Sequence, residues 1–369
     1  AADAAAGAAA DARATSASAF GRFCGIAANT EQDNRYGSED LGSAAEVTGA
    51  DRMWHYNWRM ATDVEHAGVR FVPMIKEPGQ AQDVAGAPLP RAGSAGTGQV
   101  VKGWNEPDDA GQAGRIETLR KDPERYAQSW TEDMQRARSA GYTEFIGPAM
   151  AHDPCWLDHF LKSCETTTGC KELVTYLAFH RYRPDCATYE ASPDSAAWRD
   201  DLSYLLTYYR LMQKYNGRGF NIRGLVFDEL GCLESDFWSY STESHQRRYM
   251  REFFRNTIVA VKSGDGAAAD KIRRTNWIMP KGPDAHAGGP YATHQCEAVD
   301  GGPTAAEDAV RAIESLVTVA WFSIKPGKNH LFPGGGRAGL SQLGQDYFSA
   351  CQLVDGSGAA AAPPPAAAA

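Results

Sequence analysis

VVKGWNEPD (residues 100–108), DPERYAQSWTEDMQRARSAG (122–141) and EFIGP (144–148) follow one another in the chain, and their reading decides the fold. The first piece is a short apolar run stopped by proline, which cannot continue a hydrogen-bonded ladder. The second opens with Asp-Pro, an N-cap followed by a proline at the first helical position, and stops at Gly141. The third is again short and apolar, closed by Gly-Pro. Strand, helix, strand within about 50 residues is the unit from which parallel sheets are built.

The same alternation extends in both directions. Strand-like runs occur at Phe23–Ala27, Met53–Trp58, Val69–Ile75, Val100–Trp104, Glu144–Pro148, Leu173–His180, Leu225–Glu229 and Val317–Phe322. A second long helix is expected over Ser195–Tyr215. There Trp198, Leu202, Leu205, Leu206, Tyr209 and Met212 recur at helical spacing, and Asn216-Gly217 ends the pattern. Eight strands with intervening helices predict an α/β fold, a (β/α)8 TIM barrel, which needs roughly 250 residues. We place it at residues 19–355. Residues 1–18 read as an Ala-rich tail and 356–369 (SGAAAAPPPAAAA and its leading Gly) as an Ala/Pro linker. The stretch from about 264 to 303 is rich in Gly, Pro and Ala and reads as an insertion forming a long loop at the barrel rim. Within it TNWIM (275–279) is a ninth strand-like run. It competes with Val317–Phe322 for the place of strand eight, and the latter has the better strand–helix context.

Composition narrows the function. The net charge is −9, which excludes a phosphate-neutralising basic surface, so no nucleic-acid partner is expected. The 15 Tyr, 14 Phe and 9 Trp suit either a large core or a site that stacks on sugar rings. Eight cysteines can pair fully in an oxidising compartment. Cys164 and Cys170 bracket a short Thr/Gly segment, and Cys24 and Cys351 lie near the first strand and last helix. Both pairings are open, because connectivity does not follow from sequence. CxxC and HExxH are both missing, which weakens a zinc reading of the cysteines; the two-carboxylate chemistry described below needs neither a metal nor an organic cofactor. No apolar run reaches ~18 residues, so no membrane span is expected. No signal peptide is visible; a secreted, extracellular location is inferred from the cysteines and the chemistry below. A monomer is expected.

Two acids end apolar strands. Glu106 sits in Asn105-Glu106-Pro107, where proline should hold its backbone extended. Glu229 closes Leu225-Val226-Phe227-Asp228-Glu229. A carboxylate at the end of a buried strand needs either a cationic partner or a task. Taken together they match the pair a glycosidase requires, one to protonate the departing oxygen and one to attack the anomeric carbon. As the ends of strands four and seven they face one another across the mouth of a barrel, where active sites of this fold form.

At this point the chain resembles the clan of retaining (β/α)8 glycosidases. More narrowly it resembles glycoside hydrolase family 128, the "glycosyl hydrolase catalytic core" group of β-1,3-glucanases. The resemblance rests on CGIAAN (24–29), WHYNW (54–58), GWNEPD (103–108), IGPAM (146–150), LAFHRY (177–182), VFDELG (226–231), AWF (320–322) and GLSQLGQDY (339–347), covering about residues 20–352. It implies that Glu106 is the acid/base, kept protonated at rest, and Glu229 the nucleophile. It implies that Asn105 binds the sugar 2-hydroxyl, that Tyr182 or His180 positions Glu229, and that Trp321 is the stacking platform. Trp58, Asn57 and Tyr56 would line the cleft. Trp104 reads equally as core or cleft wall, His180 has a purely structural alternative, Trp54 reads as core, and His152 is a candidate for the cleft. Asp108 reads as the cap of the turn that follows it. Two departures stand out: Trp104 replaces a common Phe, and Asp228 replaces a common Thr. A second negative charge beside the nucleophile disfavours its ionisation unless Asp228 points away or is paired.

The function expected is retaining cleavage of β-1,3-glucan, with endo action favoured. Two alternatives remain. One is a non-catalytic β-glucan or cell-wall binding protein on the same barrel; the other is a retaining glycosidase acting on another β-glycan.

Overall fold

The structure is a computed structural model. It describes residues 20, 23–28, 38–48, 53–62, 64, 66, 68–82, 89–92, 98–109, 123–232, 242–275, 304–323, 331–332 and 339–354. The two expected tails and residues 276–303 of the expected insertion lie outside them.

All eight expected strands form. They are β1 (Cys24–Ala28), β2 (Met53–Tyr56), β3 (Val69–Phe71), β4 (Val100–Lys102), β5 (Glu144–Met150), β6 (Tyr176–Arg183), β7 (Gly224–Cys232) and β8 (Leu316–Ser323). Every pairing is parallel, in the order β3-β2-β1-β8-β7-β6-β5-β4. The ring closes between β3 and β4 just beyond their ends. Met74 bridges Lys102, and Lys102 donates its N–H to Pro73 (2.9 Å) while its carbonyl accepts from Ile75 (2.9 Å). β3 is shorter than the Val69–Ile75 expected, as Pro73 has no N–H to give. β8 pairs with both β1 and β7, which settles strand eight in favour of the run near Val317–Phe322 over TNWIM.

The helices are α1 (Ser38–Thr48), α2 (Pro123–Ser139), α3 (Pro154–Thr166), α4 (Ala196–Asn216), α5 (Glu243–Tyr249), α6 (Ala260–Lys262), α7 (Gly266–Arg273), α8 (Ala305–Glu314) and α9 (Gln342–Val354). A π-helix, Met250–Val259, joins α5 to α6. Capping explains the starts of α3 and α4. Asp153 accepts from the Cys155 N–H and Ser195 from the Trp198 N–H, each satisfying a donor that has no partner within the helix. The expected insertion is not loop from its start. α7 occupies Gly266–Arg273, with Asp265 accepting from the N–H groups of Ala267 and Ala268. Ala-rich sequence behind an Asp cap favours helix, a signal that the composition of the whole stretch hides.

Strand alternation divides the core into two shells. Phe20, Trp54, Tyr56, Val100, Tyr176, Ala178, Val226, Ala320 and Phe322 fill the barrel interior. The outer shell packs the other strand face against the helices, with Trp104, Trp130, Phe179, Phe227 and Trp321 among its members. Phe20 plugs the interior beside Trp54 and Tyr176, with ring centroids 5.5 and 5.4 Å away. Gly25 is required where it is, since a side chain there would overlap the Trp54 indole at 2.2 Å.

Three disulfides join described residues: Cys24–Cys351, Cys164–Cys170 and Cys186–Cys232. Cys155 is also disulfide-bonded, with its partner outside the described residues. The first bond spans 327 residues and fastens β1 to α9. Closing so long a loop removes much entropy from the unfolded chain. Cys351→Ser should therefore cost about 3–5 kcal/mol, read from denaturant midpoints of the oxidised proteins.

Candidate active site

The site forms where the strands end, around a slip in register. Phe179 pairs with Phe227, but the next residue, His180, pairs with Glu229. Asp228 is the extra residue, a β-bulge. Simple alternation would turn one of two adjacent acids outward. The bulge lets both point into the barrel. Asp228 and Glu229 are 0% and 2% exposed.

Glu229 is held by three donors. Its Oε1 accepts from the Tyr56 hydroxyl at 2.6 Å and the Trp58 indole N–H at 2.8 Å, and its Oε2 accepts from the Tyr182 hydroxyl. Burial and Glu229 together push both tyrosines well above their ordinary pKa, so they stay donors. A group that only accepts is an ionised carboxylate in its hydrogen bonding.

Glu106 lies opposite, 9% exposed, with Oε1 2.8 Å from His180 Nδ1. The backbone of Glu106 is left-handed (φ 48°), not extended as its following proline suggested. Its N–H donates to the Ala149 carbonyl (2.8 Å), and its carbonyl accepts from Asp109 (3.0 Å). These contacts over-determine a conformation that costs on the order of 1–3 kcal/mol. Trp58 shares this feature (φ 57°), so two residues of unusual backbone aim side chains into one site.

His180 joins the two acids. Its Nε2 lies 3.4 Å from Glu229 Oε1 and 3.5 Å from Asp228 Oδ1. Burial opposes its charge, but Glu229, Asp228 and the bond to Glu106 outweigh burial and push its pKa up to about 10. Beneath it Lys102 meets Asp228 Oδ2 at 2.5 Å, both wholly buried, and the ammonium sits 3.9 Å from the Tyr56 ring centroid. Burial alone would raise the Asp228 pKa; Lys102 and His180 reverse that and hold it below the usual value. The second negative charge beside the nucleophile is therefore paired.

One oxygen or nitrogen from each of Glu106, His180 and Glu229 lies within 4.8 Å of the others. A cation there would have to displace the His180 proton and the donors on Glu229. The set fits proton transfer and nucleophilic attack better than metal binding.

Among the other expected site residues, Asn105 is buried at the end of β4 and its Oδ1 has no partner among the described residues. Asn57 donates to the Ala61 carbonyl at 3.2 Å, steadying the turn after β2. His152 is exposed, and its contact with the site region is through its backbone. Trp321 is a correction. It is wholly buried on the outer face of β8, 5.8 Å from the Tyr347 ring, so it cannot be a sugar platform. The next residue, Phe322, faces inward, 5.9 Å from Trp58 and 5.0 Å from Tyr182. A shift of one residue exchanges the two faces of a strand. Trp104 is likewise core, packing on Trp130 and donating to Asp133 Oδ2 at 3.1 Å. Asp108 does cap backbone, but that of the segment following the neighbouring strand β5. It accepts from the N–H groups of Ala151, His152 and Asp153 at 2.9, 2.7 and 2.7 Å. Lys102 and Phe322 were missed. The signal for Lys102 was a lone charge within the apolar Val100–Trp104 run.

Two carboxylates meeting at the strand ends of an eight-stranded parallel barrel are the layout of barrel glycosidases. Residues 26–206 match the family model described as "Glycosyl hydrolase catalytic core". That stretch, just under half of the chain, includes the Asn-Glu-Pro motif on which the resemblance rested. The chain is similar to a GH128 subgroup I endo-β-1,3-glucanase from Amycolatopsis mediterranei, solved with laminaritriose and laminaribiose. Identity is 18% over 89% of this chain and 99% of that one, with a TM-score of 0.48. It is similar to a curdlan-specific GH128 subgroup III exo-β-1,3-glucanase from Blastomyces gilchristii (21%, 63% and 83%, 0.41). It is similar also to a GH128 subgroup VII oligosaccharide-binding protein from Cryptococcus neoformans (14%, 90% and 94%, 0.43). No curated protein matches at a significant level. No helix among the described residues is long and apolar enough to cross a membrane.

Trp321→Ala should destabilise the fold by about 3–5 kcal/mol, and Phe322→Ala, which empties a place in the barrel interior, should cost a comparable amount, both read from denaturant midpoints. The raised pKa of His180 also has a stability consequence. The folded state binds more protons than the unfolded chain between about pH 6.5 and pH 10. This contribution is complete below 6.5 and is lost as pH rises toward 10. Denaturation of the protein and of His180→Asn across that window should show the loss only in the former.

Proposed function

We propose that the protein is a secreted, monomeric retaining glycoside hydrolase that cleaves β-1,3-glucan, acting within the chain, with Glu106 as acid/base and Glu229 as nucleophile. The observation that carries this is the approach of their carboxylate oxygens to within 4.8 Å. Retaining enzymes hold the two carboxyls about 5–5.5 Å apart, whereas inverting enzymes leave ~6.5–9.5 Å for a water. The roles follow from surroundings. Glu229 is buried under three donors, fixed and charged for attack. Glu106 is the more exposed of the two and has a proton partner in His180, as suits a group that must give and recover a proton.

In the first step a Glu229 oxygen forms a bond to the anomeric carbon as the glycosidic bond breaks. The departing oxygen takes the Glu106 proton. In the second step Glu106 removes a proton from water, whose oxygen displaces Glu229 and restores both groups. Asn105 is placed to bind the sugar 2-hydroxyl through its unpartnered Oδ1. Trp58, Tyr182 and Phe322 offer aromatic surface to a sugar face. The choice of β-1,3-glucan rests on the family resemblance and on the substrates named for the similar glucanases.

Product analysis on β-1,3-gluco-oligosaccharides of defined length tests the whole reading. Internal cleavage with the β-anomer formed first is expected. Binding without cleavage would instead identify a carbohydrate-binding protein, and cleavage of other β-glycans alone would reassign the substrate. Glu106→Gln should lose on the order of 10²–10⁴-fold in kcat. Glu229→Gln should lose at least as much, with oligosaccharide affinity retained in both.

A further inference from the structure

Beneath the two acids runs a buried line of charge that their chemistry alone does not require: Lys102, Asp228, His180, Glu106. We infer that Glu106 and His180 hold the transferable proton jointly, and that Asp228, fixed by Lys102, is the positioning residue that keeps the imidazole in the tautomer this sharing needs. The inference rests on the reading of Glu106 as acid/base.

Electrostatics sets the tautomer. His180 Nε2 faces two carboxylate oxygens, Glu229 Oε1 at 3.4 Å and Asp228 Oδ1 at 3.5 Å. A ring lone pair aimed at two anions would be repelled, so Nε2 carries hydrogen. The Nδ1–Oε1 distance of 2.8 Å then requires one further proton on the line to Glu106. That proton has two arrangements of equal count: carboxylic acid with neutral imidazole, or carboxylate with imidazolium. The first is the general acid, and the second is its reservoir.

The groups facing His180 come from four strands. Glu106 stands at the end of β4, whose Lys102 acts through Asp228. Asp228 and Glu229 come from β7. Tyr182 lies on β6 itself, 6.2 Å away ring to ring. Tyr56 reaches from β2 onto the same Glu229 oxygen. Lys102 is the one cation besides His180 in this set, and its contact with Asp228 at 2.5 Å keeps the two neighbouring acids from carrying an unbalanced charge. The charge count closes over the reaction. When Glu106 gives its proton to the departing oxygen, the Glu106–His180 pair becomes more negative by one. Glu229 loses one negative charge to the new ester bond. The imidazole N–H groups lie between the two and serve whichever carboxylate is charged.

The test compares pH profiles of kcat/KM on a β-1,3-gluco-oligosaccharide and on 2,4-dinitrophenyl β-laminaribioside, whose departing group needs no proton. His180→Asn and Asp228→Asn should move the alkaline limb down by about one pH unit or more on the oligosaccharide, tenfold at its edge. The limb on the aryl substrate should stay in place. Folded variants whose oligosaccharide limb does not move, or whose two limbs move together, overturn the inference. ¹⁵N NMR of the His180 ring in the unmodified protein decides the matter if neither variant folds. Nε2 should stay protonated and Nδ1 should share its proton from about pH 6 to about pH 9, and a ring titrating near ~6.5 overturns the inference. Should the unmodified protein cleave neither substrate, the glycosidase reading fails, and the NMR still judges the shared proton.

Discussion

A slip of one residue between β6 and β7 governs the interior. Because Asp228 bulges, two consecutive acids enter a space that otherwise holds aromatic rings and small aliphatic groups. Two buried anions side by side would be very costly without compensation. The barrel supplies it from three directions: the Lys102 ammonium, the His180 imidazole, and the three donors on Glu229. Lys102 also closes the sheet, through the backbone contacts of its N–H and carbonyl with the β3 end. The residue that shuts the ring is thus also the residue that balances its charge.

The architecture was legible because it repeats. Eight apolar runs, each followed by turn or helix signals, point to one arrangement, and the error in their limits is a few residues. Glu106 and Glu229 were legible because each breaks an apolar run at the point where a barrel strand must end. What could not be read was phase. Whether Trp321 or Phe322 faces inward depends on register, and both are aromatic, so the sequence does not choose. The outward face of β8 has room for an indole against Tyr347, and the inward face takes the smaller phenyl ring. The Asp228 bulge is likewise a property of two paired strands. The tightness of the Glu106 turn comes from its contact with Ala149, 43 residues along the chain, which overrides the local preference set by Pro107.

Lys102 shows the same limit from the other side. A lone lysine in an apolar run could mark an edge or a snorkelling side chain. Its partner lies 126 residues away, in β7, and only the closed sheet brings them together. Pairs of this kind follow from topology, which explains why the local motif Asn-Glu-Pro was found and its electrostatic support was not.

The bond between Cys24 and Cys351 turns nearly the whole barrel into a covalent ring. A protease that cuts one surface loop opens this ring into a linear molecule and releases nothing. The two pieces remain tethered at the base of β1, each within reach of the surface it left. A single nick is then a wound the fold can close over.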